Sequence, residues 1–264
     1  MLGKLMKYEL KATARLFLPF YAGTFAFALV NKLFLWINSR SSLLNLVQAV
    51  MMLAFVLVLL ATIFLTIFVT VQRFYRNFIK DEGYLMFTLP VNTSSLILSK
   101  LFTAVLWMLA TIAVVLLSIL LIPAGLSWYG ELVAALPQLS ADFYSTFGMS
   151  FGLFILEVGA LVFISGVSGT LMIYAAISLG NLFHKNKIAG AFLCYIGLYL
   201  AMQMINSVGL LILGMGSVEF ITSAVMPARF FNVVLLIAGG SSLLEGAGFY
   251  FITSYLMGKK LNLE

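Results

Sequence analysis

Charge is what this sequence has least of. Of its 264 residues, 9% are Asp, Glu, Lys or Arg and 63% are hydrophobic, and the mean hydropathy is +1.12. A soluble domain keeps about 25% charged and 45–50% apolar residues. A water-facing surface cannot be assembled from this stock, so lipid must be the solvent for most of the chain. Cysteine occurs once, as Cys194 in an apolar run, which excludes an internal disulfide and reads as a small hydrophobe. Histidine also occurs once, as His184. The chain has no G-x-x-x-x-G-K-[ST] phosphate loop, no His-Glu-x-x-His run and no Cys/His cluster. No catalytic residue, metal ligand or bound cofactor is therefore expected in this chain. An intramembrane enzyme would need a paired constellation, and Glu157, Glu245, His184 and Cys194 do not assemble one.

What the sequence has instead is long apolar runs. A helix rises about 1.5 Å per residue, so about 20 apolar residues cross the hydrocarbon. Six runs qualify, at about Leu16–Ile37, Leu43–Val71, Leu98–Ile122, within Phe147–Leu179, Ile188–Leu213 and Phe231–Met257. Pro19 falls in the first turn of the first run, where a missing N–H costs little. The charged start and long apolar stretch behind it read as a retained span, not a cleaved signal. Backbone groups must be satisfied within lipid, so the fold class is all-α, with six transmembrane helices. The chain reads as a single transmembrane domain, 1–264. Its segments are an N-terminal helix at 1–15, a polar segment at 72–97 and an external segment at 123–146.

Net charge is +6. Twelve basic residues collect on one side of the six runs: Lys4, Lys7, Lys11, Arg15, Arg73, Arg76, Lys80, Lys100, Lys185, Lys187, Lys259 and Lys260. Lys32, Arg40 and Arg229 fall on the other. The positive-inside rule then puts both termini in the cytoplasm of a multi-pass cell-membrane protein. It also accounts for the basic balance without nucleic acid.

Three segments on that side are patterned. In 1–15, Leu2, Leu5, Met6 and Leu10 share one helical face and the four basic residues follow the other, which predicts an amphipathic helix lying in the headgroup layer. The bland reading is a charged flank that only sets topology. In 72–100, QRFYRNFIKDEGYLMFTLPVNTSSLILSK, helical spacing extends the second span outward. Gly83 is a plausible helix end, Leu89-Pro90 breaks the direction, and Asn92, Thr93, Ser94 and Ser95 offer N-cap groups for the next helix. Tyr84, Leu85, Met86, Phe87 and Leu89 beside Lys80, Asp81 and Glu82 read either as a docking knob for a soluble partner or as a loop dipping into lipid. The third segment, Gly180–Lys187, carries His184, which reads as a solvated loop residue.

Two acids fall within spans. Glu245 is 12 residues before Met257, roughly 18 Å and near mid-bilayer. It serves either a translocation path or as a protonated or hydrogen-bonded packing residue. Glu157 is 24 residues before Asn181, roughly 36 Å, which predicts a water-exposed interfacial carboxylate. Small-residue pairs such as Gly148 with Gly152 and Gly197 with Ala201 suggest close helix packing or dimerisation.

The segment DEGYLMFTLPVNTSSLILSK (Asp81–Lys100), together with MKYELK (Met6–Lys11), resembles the permease subunits of ATP-binding-cassette (ABC) transporters of the six-helix exporter class. The order of elements is similar along most of the chain. The resemblance implies that residues 1–15 form an elbow helix on the inner leaflet. It implies a coupling helix that contacts a cytoplasmic ATPase through Lys80, Asp81, Glu82, Gly83, Tyr84, Met86, Phe87, Leu89 and Pro90. A second, smaller contact would fall at His184, Lys185 and Lys187. It implies two ATPase subunits, which bind ATP and Mg, a second permease subunit (identical or homologous), and export of a hydrophobic or amphipathic substrate such as a peptide or drug-like molecule. A proton-coupled secondary transporter using Glu245 is the alternative.

Overall fold

The computed structural model describes residues 2–36, 42–78, 92–122, 126–183, 186–216 and 228–259. All regular structure among them is α-helical: α1 (Leu2–Trp36), α2 (Ser42–Phe78), α3 (Thr93–Leu121), α4 (Leu126–Phe147), α5 (Phe151–Gly180), α6 (Lys187–Gly216) and α7 (Ala228–Lys259). Six of these, all but α4, are long and apolar enough to cross a membrane, so the chain is a multi-pass membrane protein by length and composition. Large apolar side chains cover the outer faces, Phe64, Leu156 and Phe251 among them. This is the inverse of a soluble protein and what lipid requires. The helices form two compact units. One holds α1, α2 to Asn77, α3 and α4 as far as Leu132; the other holds α4 from Val133 with α5, α6 and α7.

In the first unit, α1 presents one continuous stripe at helical spacing to its neighbours: Glu9, Thr13, Phe17, Tyr21, Thr24 and Ala28. Trp107 Nε1 donates to Thr13 Oγ1 at 2.7 Å and its ring stacks on Phe17 with centroids 4.4 Å apart. The Tyr21 hydroxyl lies 2.8 Å from Thr111 Oγ1, which lies 2.7 Å from Thr66 Oγ1. Thr24 and Thr62 hydroxyls are 3.0 Å apart. Ala28 packs with Phe55, Leu59 and Ile122. Partners on α3 rise with position on α1 while partners on α2 fall, so α3 runs parallel to α1 and α2 antiparallel to both.

In lipid no hydrophobic force separates helix from solvent, so packing and hydrogen bonds such as these hold the unit together. Thr111→Val removes the acceptor and donor shared by Tyr21 and Thr66. It is expected to cost about 1–2 kcal/mol, as interhelical bonds in bilayers do, read as a lowered melting temperature of the purified protein. Thr70→Val is the control, because the Thr70 hydroxyl bonds only its own helix at the Thr66 carbonyl, and it should change little.

That stripe corrects the expectation of a separate N-terminal helix. Residues 2–15 and the first span are one uninterrupted 35-residue helix, because the face that packs on α2 and α3 begins at Glu9, well before the first span's apolar run. Pro19 accordingly sits in the helix interior and not in a first turn, leaving the Arg15 carbonyl without its helical N–H. The expected two-faced pattern does appear, with Lys4, Lys7, Lys11 and Arg15 exposed and Leu2, Leu5, Met6 and Leu10 half-buried.

The second unit repeats the direction pattern. Leu161 meets Gly239, Ser165 meets Ser242 and Ser168 meets Gly246. The numbering offset is steady (239−161 = 78, 242−165 = 77, 246−168 = 78), so α5 and α7 run parallel. Gly180 on α5 abuts Ala191 on α6 and α6 returns antiparallel. The external segment foreseen at 123–146 is mostly the 22-residue α4. It ends at Gly148, whose φ of 68° closes the helix in the left-handed conformation, its N–H donating to the Tyr144 carbonyl at 2.8 Å. Gly148 is thus a helix stop and not a packing residue. Ser150 then caps α5, its hydroxyl accepting from the Leu153 N–H at 3.3 Å. Phe143 packs on Phe151 and Phe154 across this joint, with centroids 5.5 and 4.9 Å apart. A Cβ on Gly197 would meet nothing within 4 Å among the described residues, so Gly197 makes no close helix contact with them.

Candidate functional site

Among the described residues, each unit holds one cluster in which a carboxylate is bonded across helices, at Glu9 and at Glu245. In the first, Glu9 gathers groups from three helices. Lys100 Nζ on α3 pairs with Glu9 Oε1, Asn77 Nδ2 on α2 donates to the same oxygen at 3.2 Å, and Arg73 Nη1 on α2 lies 3.9 Å from Oε2. The Lys100 side chain is 3% exposed and that of Glu9 13%. Helical geometry explains the meeting: Arg73 and Asn77 are one turn apart on the same face of α2, near its end, and Lys100 lies two turns into α3. A carboxylate this enclosed needs a cation and further donors, and it has both. Beside it a cleft of about 130 Å³ opens among Ala12, Thr13, Leu16, Gln72, Arg73 and Arg76.

The Glu9 cluster fastens the helix ends that flank 79–91. Sequence reasoning used Arg73 and Lys100 as markers of orientation, Lys100 also as the end of the resemblance segment and Glu9 only as part of MKYELK, and did not foresee that these residues meet. The signal was there: Glu9 is the only acid before Asp81, set among Lys4, Lys7, Lys11 and Arg15.

The expected coupling residues Lys80, Asp81, Glu82, Gly83, Tyr84, Met86, Phe87, Leu89 and Pro90 lie outside the described residues, as do His184 and Lys185. Lys187 is half-buried at the first residue of α6. The described part of α2 reaches Phe78, so the extension of the second span beyond its apolar run is present. Asn92 stands at the N-cap of α3, but its side chain makes no capping bond. Its backbone carbonyl accepts from the N–H groups of Ser95 and Leu96, at 2.9 and 3.3 Å.

In the second unit, Glu245 stands at the centre of the apolar stretch Asn232–Gly258, 13 residues from each end, or roughly 20 Å. Asn206 Nδ2 on α6 donates to its Oε1 at 3.0 Å. The pair borders a cleft of about 160 Å³ that α5, α6 and α7 share, with Ser165, Ser168, Gln203 and Ser242 adding polar groups. A carboxylate at a helix centre in the bilayer costs about 2.5–3.5 kcal/mol, and one interhelical hydrogen bond returns about 0.6 kcal/mol.

Glu157 departs from the expected water-exposed state. It is half-buried, and its Oε2 is enclosed without a hydrogen-bond partner among the described residues. The offset of 77–78 puts it level with Val234 and Leu235 of α7, the helix running alongside. Among the described residues no three His, Cys, Asp or Glu side chains gather as a metal site would need. The chain matches no family model, no curated protein and no solved structure.

Proposed function

We propose that the chain is the permease subunit of an ABC transporter, exporting a hydrophobic or amphipathic substrate, with ATP hydrolysed on a separate cytoplasmic subunit. The observation that carries this reading is the Glu9 cluster. A loop used as a handle is effective only if the helices it joins move as one piece. The two helices that flank 79–91 are bound to each other and to α1 by one carboxylate that takes Lys100, Asn77 and Arg73. The segment between them has the sequence, GYLMFTLP, on which the resemblance to a coupling helix rests. In this reading the basic end of the unit faces the cytoplasm, as the positive-inside rule would have it, where such a partner would be. In this reading the N-terminal part of α1 does the work of an elbow helix, braced against α2 and α3. The working assembly holds two permease subunits and two ATPases.

The reading is tested by co-purification with an ATPase encoded beside this chain. Stimulated hydrolysis is the expected result, and the absence of any association removes the reading. Tyr84→Asp combined with Phe87→Asp is expected to cut transport by at least about tenfold, the loss of about 1.4 kcal/mol of docking, with the melting temperature unchanged. Normal transport by the double variant would show instead that 79–91 is a lipid-facing loop.

The Glu245 cleft supports a second reading, a proton-coupled secondary transporter with Glu245 as the proton site. It requires transport driven by a pH gradient without ATP, abolished by Glu245→Gln.

A further inference from the structure

Among the described residues of its own unit, the mid-span carboxylate of Glu245 has no basic partner. The basic side chain described there is Lys187, at the start of α6. Asn206, which touches Glu245, lies 19 residues further along that helix (206−187 = 19), or roughly 28 Å. Lys187 therefore cannot reach it. The side chains that complete the cleft are of two kinds. Ser165, Ser168, Gln203 and Ser242 are neutral and polar, whereas Met172, Met202, Tyr199 and Phe249 are soft and apolar. A hard metal cation wants several oxygen anions, and Glu245 is the one acid lining this cleft. A cation carrying its own carbon surface suits the lining far better. Aromatic faces attract ammonium groups, most strongly where water is scarce. Methionine side chains reshape around apolar substituents. In volume, about 160 Å³ is close to a cavity that admits a benzene ring, which is room for the headgroup of an amphiphile but not for its tail.

We propose that the Glu245 cleft, shared by α5, α6 and α7, is a binding site for the ammonium end of an amphipathic amine. Glu245 supplies the counter-charge, Asn206 holds its carboxylate in place, and Tyr199, Phe249, Met172 and Met202 receive the carbon groups around the nitrogen. The site deepens the transport reading, resting on it only for what the binding is used for: the cargo's charged end would be held at the middle of the bilayer.

The test is equilibrium binding of radiolabelled benzyltrimethylammonium to the full chain in phosphatidylcholine nanodiscs, with no ATPase present. Saturable binding is expected, weakened at least about tenfold by Glu245→Gln, the equivalent of 1.4 kcal/mol. That change keeps the acceptor for Asn206 and removes only the charge. Gly169→Leu is expected to abolish binding with the charge intact. Gly169 lines the cleft, and a Cβ there would meet nothing within 4 Å, so the larger side chain fills the space without displacing backbone. The carbon isostere neopentylbenzene should compete at least about tenfold less well. Equal binding by wild type and Glu245→Gln overturns the proposal. So does an absence of saturable binding by the wild type, which would leave Glu245 as a proton site alone. Because no ATPase takes part, failure here leaves the permease reading standing, and failure to associate with an ATPase leaves this site standing.

Discussion

Lys100→Met is expected to destabilise the first unit by about 3–5 kcal/mol, the usual consequence of removing one member of an enclosed ion pair. The size follows from what is left behind. Glu9 stays enclosed at 13% exposure with the Asn77 amide, while Arg73 at 3.9 Å is too distant for a direct hydrogen bond. Glu9→Leu takes the counter-charge away from a lysine side chain only 3% exposed, and should cost a similar amount. The double variant removes both charges and replaces them with apolar volume, so it should be far more stable than either single variant and close to wild type. Denaturant unfolding of the four proteins, followed by circular dichroism, gives the coupling energy directly. Single losses that simply add in the double variant would show that Glu9 and Lys100 do not depend on each other.

Gly180→Ala is expected to break the α5–α6 turn. A Cβ on Gly180 would lie 2.4 Å from both the nitrogen and the Cα of Ala191 and 2.6 Å from its Cβ. Two of those atoms are backbone in the first turns of α6, so no rotamer change relieves the clash and the helices must separate. Forcing volume into a packed contact costs about 1–3 kcal/mol. It would overwhelm the roughly 1 kcal/mol that alanine otherwise gains over glycine in a helix. Gly152→Ala supplies the comparison, because its Cβ would meet nothing within 4 Å, and it should be neutral or stabilising. A thermal melt of each variant decides the matter; equal melting temperatures would mean that the helices are not in contact there.

The six spans were legible because hydrophobic length is a one-dimensional property, readable without knowing what touches what. Their ends were less so. α2 continues past Val71 to Phe78 and α3 begins at Thr93, since lipid thickness sets the apolar run but not where hydrogen bonding stops. The amphipathic pattern of residues 2–15 was correctly read as helical. Its orientation was misjudged, because the periodicity of Leu2, Leu5, Met6 and Leu10 gives a face and not the surface that face meets. The meeting at Glu9 escaped notice for the same reason: the partners of Glu9 are 64, 68 and 91 residues away (73−9, 77−9, 100−9), and pairing at such range leaves no local trace. Glu245 was identified from depth alone, which needs only counting. The cleft around it required three helices that no periodicity brings together. Gly148 shows the converse error, since a glycine in a small-residue pattern can be a conformational stop.

The unbroken run of α1 has a mechanical consequence. Thirty-five residues in one helix measure about 52 Å, against about 30 Å of hydrocarbon. Roughly 20 Å of rod is left over, and the groups that tie it down sit in that surplus, at Glu9. Because α1 is tied to α2 and α3 from Glu9 through Thr13, Tyr21 and Thr24 to Ala28, a sideways push on that surplus loads all three helices together and is carried into the spanning part of the unit.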